Sequence, residues 1–227
     1  MTATGLECLL RARRSIRAFD ATPVPRPDVA RILTAARLAP SGANLQPGRF
    51  HALSGAPLER LKSALLDAVA TGREPVSEFS YFPDPMAAAL KAKQRAAGYA
   101  LYSALGIERR DIAGRKAQFD RNYRFFDAPV GIVVTIQRDM GKGCFMDLGM
   151  SLMALFLAAE DMGYGTSGIG ALGNYGDLTH EVMGLPEDEL VVCGIALGRP
   201  DASASVNTVR TERDALEDFA RFEGFDG

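Results

Sequence analysis

The chain has 227 residues, 47% hydrophobic and 24% charged, with a formal net charge of −2. That composition suits one folded domain with a full core. The near balance of charge excludes the overall basic field that nucleic acid or an anionic membrane would need, although a local basic cluster can still serve a small anion.

The spacing predicts a short helix over Leu6–Arg14 and a clearer one over Pro27–Leu38. In the second, Val29, Ile32, Leu33 and Ala36 recur at helical intervals and Pro27 suits the first turn. Ala39-Pro40-Ser41-Gly42 breaks it. Arg49–Leu53 reads as a strand, and Pro57–Ala70 as a helix with Leu58, Leu61, Leu65 and Val69 on one face. Thr71–Pro85 holds Gly72, Pro75, Pro83 and Pro85 and is expected to be an exposed loop. Met86–Leu105 and Asp111–Tyr123 read as helices. Val130–Ile136, rich in β-branched residues, and Leu190–Leu197 read as buried strands. Asp147–Met162 is apolar nearly all round, as a helix in a large core or at a dimer interface would be. Gly198-Arg199-Pro200 ends the last strand, and the polar remainder is expected on the surface. No repeat or linker divides the chain, so a single α+β domain over 1–227, with a modest sheet between helices, is expected.

Cys8, Cys144 and Cys193 are dispersed, which suggests neither a disulfide framework nor a zinc site. The N-terminal residues lack a signal-peptide pattern. The longest apolar run, Leu148–Ala159, is shorter than the roughly 20 residues of a membrane span. A cytoplasmic protein with no metal, nucleic-acid or membrane partner is expected. His51 and His180 stand apart from any Ser, Cys or Asp motif and read as structural or surface residues.

Four segments carry chemistry. Arg13-Arg14-Ser15-Ile16-Arg17 brings three guanidinium forks and a hydroxyl together, a set that matches phosphate oxygens, or else a solvated basic patch. Pro40, Ser41, Gly42, Asn44 and Gln46 lie on a turn-rich loop able to read the polar edge of a heterocycle, or simply to stop a helix. In Gly163–Gly176 the glycines imitate part of a dinucleotide fingerprint. That fingerprint follows a strand, whereas this segment follows a helix, so Gly168 and Gly170 are better explained by close approach of backbone to a flat ligand. Val206–Arg213 adds Arg210 and Arg213, as anion ligands or as a charged tail. Phe125, Phe126 and Phe145 read as core, and Tyr81, Phe82 and Tyr99 as core or pocket lining.

Arg-Arg-Ser-Ile-Arg-x-Phe, then Ala-Pro-Ser-Gly-x-Asn-x-Gln-Pro, then the late Leu-Pro-x-Asp-Glu-x-Val-Val-x-Gly-x-Ala-Leu-Gly together resemble the nitroreductase superfamily, from Leu9 to about Arg213. Residues 121–130 and 207–219 resemble its nitrobenzoate reductase-like subgroup. The resemblance implies FMN, a central, mostly antiparallel sheet flanked by helices, and two flavins in a domain-entwined homodimer. It implies that residues 71–125 form a variable helical excursion near the active site and that 199–227 packs on the partner subunit. Arg13, Arg14, Ser15 and Arg17 match the segment holding the phosphate and the flavin's polar edge. Pro40, Ser41, Gly42 and Asn44 match the loop given by the other subunit, and Arg124 a cation on the N1–O2 side. Ser167, Gly168, Gly170 and Ala171 match the stretch facing N5, with a backbone N–H of Gly170 or Ala171 orienting it. Arg213 and Arg210 match late phosphate ligands. The implied reaction is ping-pong transfer from NADH or NADPH, through flavin N5, to a nitroaromatic, quinone or similar planar acceptor, with no side-chain acid or base. A biosynthetic flavin-dependent dehydrogenase or oxidase and a non-catalytic flavin-binding protein are the alternatives. Two departures stand out: Gly48 where the family often has tryptophan, and Ser167-Gly168-Ile169 where the subgroup often has a Cys-Pro-Gln type sequence. Both are expected to reshape the pocket over the flavin.

Overall fold

The computed structural model describes residues 5–225. Helix α1 (Gly5–Ala12) leads into an extended arm, where Ser15 bridges Thr166 and Phe19 bridges Pro200. Helix α2 (Arg26–Ala36) has a proline in its first turn, as expected, and turns Val29, Ile32 and Ala36 inward. Strand β1 (Arg49–Ser54) follows the breaker loop. Helix α3 (Ala56–Thr71) buries Leu58, Leu61, Leu65 and Ala68 and ends at Gly72. Gly72 has φ 69°, where a side chain would be strained. Helices α4 (Ala88–Ala104) and α5 (Ile112–Asp120) follow. Then come β2 (Val130–Gln137), α6 (Lys142–Asp161), β3 (Gly165–Ile169), α7 (Gly176–Met183), β4 (Glu189–Gly198) and the short α8 (Leu216–Phe219).

The sheet has the order β1-β2-β4-β3, and all neighbours are antiparallel. One apolar cluster joins α2 and α6 to one face, through Ile32, Ile132, Val134, Leu148 and Leu155. A second joins α3, α7 and a 3-10 segment, Arg121–Asp127, to the other face, through Leu61, Leu65, Phe125, Val133 and Ala196. With both faces covered, β2 and β4 are buried almost end to end. That is why they read as unbroken apolar runs rather than alternating ones.

Four expectations change. The glycine-rich segment holds a strand, β3, that periodicity did not reveal. A Cβ on Gly165 would lie 2.5 Å from Ile16 Cγ1, so the narrow strand lets the N-terminal arm lie against it. The helix expected over Asp111–Tyr123 stops at Asp120, and Phe125, Phe126 and Asp127 take positive φ. Helix α6 starts at Lys142, ahead of Asp147. The loop before α4 is largely exposed but tied down: Val76 bridges Tyr175, and its N–H donates to Asn174 O at 2.8 Å. Helix α6 has the length and apolarity of a membrane span, yet here it packs on α2 with Leu148, Leu155 and Ala159 buried. Its Met146 and Met150 are exposed in the single chain.

Candidate functional site

The N-terminal arm and the segment after β4 meet in a cleft of about 300 Å³. Six arginines line it, Arg11, Arg13, Arg14, Arg17, Arg210 and Arg213, with Ser15 among them, and no carboxylate lines it among the described residues. The fourth segment is thus brought onto the first, across nearly the whole chain. Asn207 ties the two together. Its Oδ1 accepts the Arg17 and Ala18 N–H groups at 2.8 and 3.2 Å, and its Nδ2 donates to Ala18 O and Asp201 O at 2.8 and 2.9 Å.

The six cations are not equivalent. Arg14 donates from Nε to Asn207 O and from NH1 to Ala12 O, and Arg210 donates to Arg11 O and Ala12 O at 2.7 and 3.0 Å. Both brace the cleft. Arg213 curls onto Thr211, at 2.8 Å from its Oγ1. Burial holds the Arg17 guanidinium below its ordinary pKa, and the side chain lies over the Phe126 ring, 5.9 Å from the centroid. Arg13 is lowered first by burial, then by the positive charge of Arg213 and Arg210, against an opposing pull from Glu160. Guanidinium groups crowded together with no acid in the lining suit a multiply charged anion. The donor set fits the phosphate end of FMN.

A larger cleft of about 770 Å³ opens beside the end of β3. Its floor carries Gly170 and Ala171, and its walls carry Ser77, Phe79, Ser80, Tyr81, Phe82, Phe119, Asn122 and Asn174. Tyr81 closes on Gly170: a Cβ there would lie 3.2 Å from Tyr81 Cε2. Gly168, exposed on β3, leaves its backbone accessible. Ser167 instead points into the buried sheet, where its Oγ has no hydrogen-bond partner. Tyr81 and Phe82 line the cleft, whereas Tyr99 sits on α4 under the Arg109 guanidinium, 5.5 Å away. Arg124 forks onto Asp127 at 2.8 and 2.9 Å and lines neither cleft. Arg121 lies by Phe126, 6.0 Å from its centroid.

The loop of Pro40, Ser41, Gly42 and Asn44 lines neither cleft of its own chain. It is rigidly built: Gly42 N–H donates to Asp147 Oδ2 at 3.1 Å, Gln46 N–H to Ser41 Oγ at 2.9 Å, and Ala43, Asn44 and Gln46 hold positive φ. His51 and His180 are structural. His51 Nε2 lies 3.4 Å from Glu189 Oε2, a buried carboxylate that also pairs with Arg49 at 2.8 Å, and His180 lies 3.8 Å from Glu78. Burial pushes the Cys193 thiol up to about 12, so it stays protonated.

The Nitroreductase family model matches residues 10–199. The chain belongs to the nitroreductase family. It is 34% identical to a 4-nitrobenzoate reductase of Pseudomonas putida, over 97% of this chain and 96% of that one. It is 35% identical to a chloronitrobenzene nitroreductase of Comamonas testosteroni, over 97% and 98%. Among solved structures, the FMN- and NADPH-dependent nitroreductase NfnB of Sphigopyxis sp. strain HMH superposes with a TM-score of 0.95 at 34% identity, over 98% of this chain and 100% of that one.

Against that family pattern, the expectation for Gly48 needs correction. Gly48 has φ +91°, and a Cβ on it would lie 2.5 Å from Leu148 Cδ1 on α6. A side chain here would point at the core, and Gly48 does not line the larger cleft of its own chain. Sequence reasoning also missed what holds the wall of that cleft. Strand β4 runs past the end of β3, which pairs only with Gly194–Gly198, and this leaves the Val191 N–H without a strand partner on that side. Glu78 Oε2 accepts it at 2.8 Å, while Oε1 pairs with Arg138. One buried carboxylate therefore staples the segment bearing Phe79, Tyr81 and Phe82 onto the sheet. A glutamate in a proline-rich loop carries no local signal of that role; only the third dimension supplies the orphan N–H.

Proposed function

We propose that the chain is an FMN-dependent oxidoreductase that uses NADPH or NADH to reduce a nitroaromatic, quinone or similar planar acceptor, in the cytoplasm and as a homodimer. The single observation that carries the reading is a pair of clefts joined through strand β3: an arginine cleft whose Ser15 bridges Thr166, and a cleft walled by aromatic side chains whose glycine floor begins at Gly170, directly after the strand. The family and its FMN- and NADPH-dependent member support it. Bound FMN supplies the ring that accepts a hydride from the nicotinamide and passes electrons to the acceptor. Arg13, Arg17 and Ser15 hold its phosphate, with Arg213 closing the cleft and Arg14 and Arg210 bracing it. Gly168 gives close backbone approach, and the N–H groups of Gly170 and Ala171 orient the reacting edge. No side-chain acid or base is required of the protein; position and electrostatics are its contribution. The purified protein is expected to be yellow and to release FMN rather than FAD on heating. Anaerobic NADPH should bleach it, and a nitroarene should restore the colour. A protein that takes up no FMN overturns the reading.

The homodimer rests on apolar surface that a single chain leaves in water. Met146 and Met150 on α6 are exposed, and Leu216, Phe219, Phe222 and Phe225 recur at every third position of the tail, with Phe219 83% exposed. This much large apolar side chain left in water supports an interface. A partner also gives the rigid loop of Pro40, Ser41, Gly42 and Asn44 a site to complete, and gives residues 199–227 a surface to pack on. Light scattering is expected to give twice the 24.4 kDa chain mass. A flavin-loaded monomer contradicts this.

A further inference from the structure

The larger cleft is mostly apolar, and the polar groups in its lining are uncharged. Phe79, Tyr81, Phe82 and Phe119 supply rings, and Asn122 and Asn174 supply amides. No arginine, lysine or histidine lines it. The cations near its lining residues in sequence or structure are engaged elsewhere: Arg73 on Asp177, Arg115 over the Tyr102 ring, Lys116 on Asp120, Arg121 beside Phe126 and 3.7 Å from Asp127, Arg124 on Asp127, and Arg138 on Glu78. The side chain that anchors the aromatic wall, Glu78, offers an acceptor's carboxylate no positive charge. The loop assigned above to the partner, residues 40–46, carries no charge either.

An acceptor bearing a carboxylate would have to leave it in water or bury it unpaired, and a buried charge without a partner is strongly disfavoured. A neutral nitro group or amide meets a different environment. Asn122 Nδ2 donates to Phe119 O at 2.6 Å and Asn174 Nδ2 lies 3.4 Å from Tyr123 OH, so each amide keeps a second N–H for a neutral oxygen. The four rings suit an uncharged aromatic plane.

We infer that this cleft selects neutral planar nitroarenes and discriminates against those that carry a carboxylate. The inference rests on the function proposed above and narrows its substrate class. It separates this chain from what the name of its Pseudomonas putida relative, a 4-nitrobenzoate reductase, would suggest.

The test has a binding arm and a turnover arm. FMN-loaded protein is titrated with benzamide and with benzoate, neither of which is reduced, and the flavin absorption band is followed. Benzamide is expected to bind at least about tenfold more tightly, the order of discrimination that one unpaired polar group imposes. In turnover with NADPH, methyl 4-nitrobenzoate is expected to exceed 4-nitrobenzoate in kcat/KM by a similar factor. Asn122→Lys, or Phe119→Lys on the same wall, should narrow both gaps by strengthening the acids. Benzoate binding as tightly as benzamide in the unsubstituted protein overturns the inference. If no nitroarene is reduced, the proposed function falls, while the benzamide–benzoate comparison still decides the character of the cleft.

Discussion

Replacing Gly48 by tryptophan, the residue the family often has there, is expected to lower the melting temperature markedly and leave the acceptor ranking unchanged. Two costs add. A non-glycine residue at φ +91° is strained by about 1–3 kcal/mol. The new Cβ would also lie 2.5 Å from Leu148 Cδ1 and 3.5 Å from the Thr135 carbonyl oxygen. Leu148 belongs to the core cluster between sheet and helices, so it has little room to yield, and overpacking typically costs about 1–3 kcal/mol. Together they amount to about 2–6 kcal/mol. At roughly 2–4 °C per kcal/mol for a domain of this size, the shift should exceed several degrees. Leu148→Ala, destabilising by itself, should offset part of the loss in the double variant, because the two positions touch. Thermal melts of the four proteins check this. An unchanged melting temperature together with a reordered acceptor ranking would put Gly48 on the cleft after all.

Arg17→Ala is expected to weaken FMN binding by about ten- to a hundredfold, as the loss of one charge-assisted hydrogen bond of about 1.5–3 kcal/mol would. Arg17 is the sharper choice than Arg14, whose fork is already spent on Asn207 O and Ala12 O. The Arg17 guanidinium is partly buried, rests over Phe126, and makes a single long side-chain hydrogen bond, 3.5 Å to Ser15 O. Such a cation gains most from an incoming anion. Arg17→Lys should recover part of the affinity, since it restores the charge but not the planar fork. Removing Arg14 should instead loosen the tail, because Asn207 and its neighbours lose an anchor. Fluorescence titration of the apoprotein with FMN separates the cases. Unaltered affinity in Arg17→Ala would make Arg17 a structural partner of Phe126 and no more.

The amino-acid order by itself determined the elements that carry a local pattern. Helices α2 and α3 follow from apolar residues recurring at helical spacing, and β2 and β4 from apolar runs too short for buried helices and rich in β-branched residues. Residue type marked the arginine-rich arm and the glycine-rich segment as candidates, but left each open to a structural reading, a solvated basic patch or a turn-rich connection. Tertiary structure decided everything that rests on a partner distant in sequence. Strand β3 exists because β4 supplies its hydrogen bonds and Ile16 needs the space left by Gly165. That Arg14 is a brace while Arg17 keeps most of its fork unspent depends on Asn207, about two hundred positions away, and not on the Arg-Arg-Ser-x-Arg pattern they share. Gly48 looked like a missing pocket wall until Leu148 was found behind it. Glu78, invisible in its loop, became a staple only because β4 outruns its neighbour and leaves one N–H to be satisfied. Periodicity reports how a segment meets a surface; it is silent on which surface that is, and the chemistry of this site depends on that choice.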